Sequence, residues 1–127
     1  MNEKIYVFGN HLVKEDSLPL KLIDKLRREF PNIEFEEFDT VEDVELKKEL
    51  NIIDSVKGIK KVELIEDLEK IITDKIYSIH DFDLGYNLKL LKKIKMIEKV
   101  RILGIPMKIN ESEAFDQLKK MIKRLIR

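Results

Sequence analysis

The chain has 127 residues, of which 43% are hydrophobic and 39% charged, with 25 basic side chains balanced by 25 acidic ones. That length suits a single domain spanning residues 1–127 with its own core, while the zero net charge offers no field to draw in nucleic acid or an anionic membrane. The absence of Cys excludes disulfides, thiolate nucleophiles, iron–sulfur clusters and thiolate zinc sites within the chain. No run approaches the roughly 20 apolar residues needed to cross a bilayer, and the opening MNEKIYVFGN reads as a first strand rather than a signal peptide. A cytoplasmic protein is expected. Dense, balanced charge without Cys also suits a thermophile.

In chain order, residues 5–8 form a compact apolar run that ends at Gly9, as a buried strand feeding a turn would. From Asp16 onward the period becomes helical, with Leu22, Ile23, Leu26 and Phe30 on one face, and Pro31 stops the helix. Residues 33–38 (IEFEEF) make a second strand exposed enough to carry three Glu. A short helix is predicted over 41–50, followed by the apolar pair Ile52-Ile53 closed by Asp54. Gly58 marks a turn, residues 62–65 alternate like a strand, and Ile76-Tyr77 predict another short one just before His80. Leu84, Leu88, Leu91 and Ile94 share a helical face. Val100, Ile102, Leu103 and Ile105 make the last strand, and Phe115, Leu118, Ile122 and Leu125 a closing helix. Alternating strands and helices predict an α/β fold: a three-layer αβα arrangement with an open, mostly parallel sheet flanked by helices on both faces.

Sheets of this kind bind ligands beyond the carboxyl ends of their strands. Three such exits carry metal-competent side chains: the acidic pair Glu15-Asp16 after the first strand, Asp54 after Ile52-Ile53, and His80 after Ile76-Tyr77. Two carboxylates and an imidazole suit a borderline divalent metal with open positions. Each also has an ordinary reading. Asp16 or Ser17 could cap the first helix, with Pro19 in its first turn; Asp54 could be a turn residue; His80 could cap the helix that follows. Gly9-Asn10 is too sparse for a dinucleotide fingerprint, the serines sit in no nucleophile-elbow context, and the basic tail LKKMIKRLIR is what a helix C-terminus favours.

In order and spacing, these features resemble the NiFe-hydrogenase maturation endopeptidase family. In that family a strand ends in Gly-x-Gly-Asn, a Leu follows, and an acidic pair precedes a helix; here Gly9, Asn10, Leu12, Glu15 and Asp16 fill those places. NIIDSV, SIHDFDLGYNLKLL and ILGIP resemble later segments of the family, so the likeness runs from about residue 4 to residue 106. Val7 stands where the family has its first Gly, and Asp39-Thr40-Val41 where many members carry an Asp-Gly-Gly-Thr-like loop. The resemblance implies an endopeptidase that removes the C-terminal extension of a hydrogenase large-subunit precursor after nickel insertion. Asp16, Asp54 and His80 would recognise nickel carried by the precursor, and Glu15 is a helper base beside Asp16. Proteins of this kind are small enough to work as monomers, although the sequence itself does not fix the oligomeric state. A nickel- or precursor-binding chaperone on the same fold is the alternative, supported by the missing glycines.

Overall fold

A computed structural model describes residues 3–8, 18–38, 49–56, 58–66 and 99–126 of the chain. The elements are β1 (Glu3–Phe8), α1 (Leu18–Glu29), β2 (Ile33–Phe38), β3 (Glu49–Val56), β4 (Glu63–Ile65), β5 (Lys99–Pro106) and α2 (Glu111–Leu125). The five strands form one sheet in the order β2-β1-β3-β5-β4. Pairing is parallel except between β4 and β5. The expected α/β class with a mostly parallel sheet is what the chain adopts.

Period-2 alternation sorts each strand between two faces. Ile5, Val7, Phe35, Ile53, Leu103 and Ile105 point to one of them, where Leu22, Ile23 and Leu26 of α1 and Ala114, Leu118 and Ile122 of α2 complete the core. On the opposite face Tyr6, Leu50, Ile52, Val100 and Ile102 are buried as well. Burial on both faces is why β3 and β5 read as continuous apolar runs rather than as alternation.

Local chemistry sets the boundaries. Pro19 occupies the first turn of α1, where a missing N–H costs nothing. Pro31 cannot extend the helix. The Phe30 amide makes its last helical bond to the Leu26 carbonyl at 2.8 Å, and the Ile33 amide donates to the Phe30 carbonyl at 3.0 Å, turning the chain into β2. The Asn110 side chain caps α2 by accepting from the Glu113 amide at 2.7 Å, with acidic residues in the first turn and basic ones in the last. The basic tail thus forms the end of a helix, and two of its lysines pair with carboxylates, Lys119 with Glu29 of α1 at 3.5 Å and Lys120 with Asp116 one turn earlier at 3.1 Å.

Several predicted boundaries are corrected. The helix expected over 41–50 cannot reach its predicted end, because Glu49 and Leu50 already belong to β3, where Leu50 is buried in the sheet. Residues 41–48, the strand at Ile76-Tyr77 and the helix carrying Leu84 to Ile94 lie outside the described residues. In α2 the buried stripe is Ala114, Leu118 and Ile122, while Phe115 and Leu125 sit at its partly exposed border.

On the face away from α1, Lys4 of β1 bridges two glutamates of β2, Glu34 at 3.1 Å and Glu36 at 2.6 Å, and lies over the Tyr6 ring at 4.9 Å. The Glu36 carboxylate, then Glu34, raise the Lys4 pKa well above the ordinary lysine value, so its ammonium stays charged at any physiological pH.

Gly104 of β5 lies beside Asp54 of β3 in register. A Cβ there would meet Val56 Cγ2 at 2.8 Å and Ile65 Cδ1 at 3.3 Å. The short, branched Val56 has no flexible end that could swing aside. Gly104→Ala is therefore expected to destabilise the protein by ~1–3 kcal/mol, the usual cost of overpacking. Chemical denaturation should show a lower midpoint with an unchanged slope, and an unchanged midpoint would contradict the packing described here.

Candidate functional site

Among the parallel strands of the described sheet the order contains one reversal. From β1 the chain steps outward to β2, whereas β3 lies on the other side of β1 and leads on to β5. The switch point is thus between β1 and β3, and a crevice at the carboxyl ends of these two strands is where an open α/β sheet accommodates a ligand.

Asp54 lies at that place. It sits two residues before the end of β3, inside the strand rather than after it, so the turn-residue reading does not hold. The pairs Tyr6↔Ile52 and Val7↔Ile53 bring it level with Phe8, the last residue of β1. Its position in the alternation turns it away from α1 and α2, onto the face of Ile52 and Val56. Only 2% of its surface is exposed. A carboxylate so buried is costly unless its oxygens are hydrogen-bonded, and Oδ1 accepts the amide N–H of Ser55 at 2.8 Å. This bond fixes the side-chain torsion, so the carboxylate is held in one orientation at the lip of the central strand.

Glu15, Asp16 and His80 lie outside the described residues. In the chain, Glu15 and Asp16 fall between β1 and α1, and His80 falls between β4 and β5. Among the described residues no three His, Cys, Asp or Glu side chains gather closely enough to hold a metal ion. Ser55 emerges as a supporting group that sequence reasoning passed over. Its contribution is a backbone amide, which leaves no trace in residue type or spacing.

No family model matches the chain, and no curated protein matches it. Solved structures do. The chain is similar to a hydrogenase 3 maturation protease, with a TM-score of 0.64 at 19% identity, over 98% of this chain and 89% of that one. A hydrogenase 2 maturation peptidase from Thaumarchaeota archaeon SCGC_AB-539-E09 gives a TM-score of 0.52 at 18% identity, over 98% of this chain and 95% of the other. An uncharacterized protein from Wolinella succinogenes gives 0.57 at 16% identity, over 99% and 95%. At these identities the likeness is one of fold, and it extends over nearly the whole chain in each case.

Replacing Asp54 separates its structural from its chemical role. Asp54→Asn keeps an acceptor for the Ser55 amide and is expected to fold with a near-normal melting temperature. Asp54→Ala removes that buried hydrogen bond and should cost ~0.5–1.5 kcal/mol. Equal stability of the two variants in thermal unfolding would show that the Asp54–Ser55 bond contributes nothing.

Proposed function

We propose that this chain is a hydrogenase maturation endopeptidase that removes the C-terminal extension of a NiFe-hydrogenase large-subunit precursor once nickel has been inserted. The observation that carries this reading is the position of Asp54. A buried, oriented carboxylate stands at the topological switch point of a fold shared with two hydrogenase maturation proteases. The sequence pattern supports it independently, because the acidic pair Glu15-Asp16, Asp54 and His80 follow in the order and context that the family resemblance implies.

In this reading nickel arrives as part of the substrate. Asp16 and Asp54 offer oxygen donors and His80 a nitrogen donor, a set suited to a borderline divalent ion. Ligation by these three residues brings the scissile bond next to the metal, and Glu15 accepts a proton during hydrolysis. The protein acts on its own as a monomer. The buried Asp54 is held by the Ser55 amide, so it presents its charge without rearranging when the precursor docks.

The chaperone alternative rests on Asp39-Thr40-Val41, which lacks the glycines of the family's recognition loop. A cleavage assay decides between them. The nickel-loaded precursor is incubated with the protein, and its intact mass is followed beside Asp16→Asn and Asp54→Asn controls. Loss of a short C-terminal peptide is expected with the unmutated protein, slowed at least ~100-fold in either variant. A precursor that binds yet keeps its mass would favour the chaperone.

Ligation by His80 requires a neutral imidazole, which ordinarily protonates near roughly pH 6.5. Processing should therefore fall off below roughly pH 6 as the proton displaces the metal. A rate that stays flat down to about pH 5 would remove His80 from the ligand set.

A further inference from the structure

Asp54 shares its face of the sheet with Ile52 and Val56 of its own strand and with the residues opposite them on β5. Its own register partner there is Gly104, which has no side chain to place beside the carboxylate. The space above Gly104 is nevertheless filled. A Cβ added at that position would stand 2.8 Å from Val56 Cγ2, 3.3 Å from Ile65 Cδ1 and 3.4 Å from Ile59 Cδ1. Apolar carbon atoms settle roughly 3.5–4.0 Å apart. Of the three, the Val56 methyl therefore makes the fullest use of the room that a side chain would take.

Val56 has little freedom to lie elsewhere. Its backbone is held in the β3–β5 ladder opposite Pro106, and its side chain is buried. Branching at Cβ restricts its torsion to few choices. Ile59 and Ile65, the latter on β4, occupy the far side of the same space. A methyl driven off β5 therefore returns over its own strand, where the preceding side chain on this face is Asp54.

We infer that Gly104 is a positioning residue for Asp54: by giving Val56 room over β5, it keeps that side chain off the carboxylate at the carboxyl end of the central strand. The carboxylate is thus placed by two features. The Ser55 amide holds Oδ1 at 2.8 Å, and the missing side chain across the ladder keeps the apolar neighbour away. Gly104 touches no substrate and acts through Val56. Its effect on turnover rests on the activity proposed above, whereas the placement of Asp54 does not.

Two readouts keep these apart. The Ser55 amide donates to Asp54 Oδ1, so its proton resonance reports the placement of the carboxylate without precursor or metal. In isotope-labelled Gly104→Ala, held at a temperature where every molecule is folded, that resonance is expected to move upfield as the bond weakens. Removing the methyl as well, in Gly104→Ala/Val56→Ala, should return it to its position in the unmutated protein. In the precursor cleavage assay the single variant should turn over at least ~10-fold more slowly per folded molecule, because a misplacement on the order of 1 Å can cost ~100-fold. The double variant should recover. If Gly104→Ala does not fold by circular dichroism, Gly104→Ala/Ile65→Val replaces it, shortening the side chain at 3.3 Å while leaving Val56 in the way. A folded Gly104→Ala variant whose Ser55 amide is unmoved would overturn the inference, as would a shift that Val56→Ala fails to reverse. A precursor left intact by the unmutated protein would count against the proposed activity alone, since the amide readout does not involve it.

Discussion

The central strand β3 is paired on both edges and, from Ile52 to Val56, buried on both faces. Its parallel ladder to β5 runs the whole length from Glu49↔Lys99 to Val56↔Pro106, and on the other side it pairs with β1. Every polar side chain within it must find a partner in the protein. Asn51 does so at the amino end, where it accepts from Arg101 at 3.2 Å. Asp54 does so at the carboxyl end through the Ser55 amide. A carboxyl group is retained there despite the cost of burying it, at the switch point between β1 and β3. Such a place in an α/β sheet is where function has a use for it.

The two ends of the sheet have different characters. At the amino ends of β3 and β5, Arg101 meets Glu49 at 3.5 Å and Glu66 at 3.8 Å, and Lys99 meets Glu66 at 3.7 Å. These are charge pairs with solvent access, of modest energetic weight each. At the carboxyl end the close packing of Gly104 against Val56, Ile59 and Ile65 excludes side-chain bulk next to Asp54. The left-handed backbone of Gly58, with φ 84°, turns the chain so that β4 can run antiparallel beside β5. The Gln117 side chain accepts the Val62 amide at 2.8 Å and ties that returning segment to α2. The surroundings of the central strand are thus built from packing and backbone bonds, and the surface from exchangeable charges.

Hydrophobic periodicity made much of this architecture legible. The stripe Leu22, Ile23, Leu26, the stop at Pro31 and the strand at residues 33–38 appear where the pattern put them. Errors cluster where two periods compete. Glu49 and Leu50 read as the end of a charged helix because VELKKEL favours helical spacing, yet pairing with Lys99 and Val100 claims them for β3. Phe115 read as core, but α2 is rotated toward Ala114, and Lys25 and Lys119 lie over the partly exposed ring at 5.9 and 5.6 Å. Of the candidate site, the sequence singled out Asp54 because it closes an aliphatic run, at the end of a strand where α/β sheets bind ligands. It could not tell an acid that ends a strand from one held inside it.

What the sequence determined by itself is most of the described elements and their alternation, because these depend on spacing along the chain. Tertiary structure alone decided the strand order, the reversal between β1 and β3 and the burial of Asp54. Each of those depends on which segments lie side by side, and pairing between strands distant in sequence leaves no local periodicity to read.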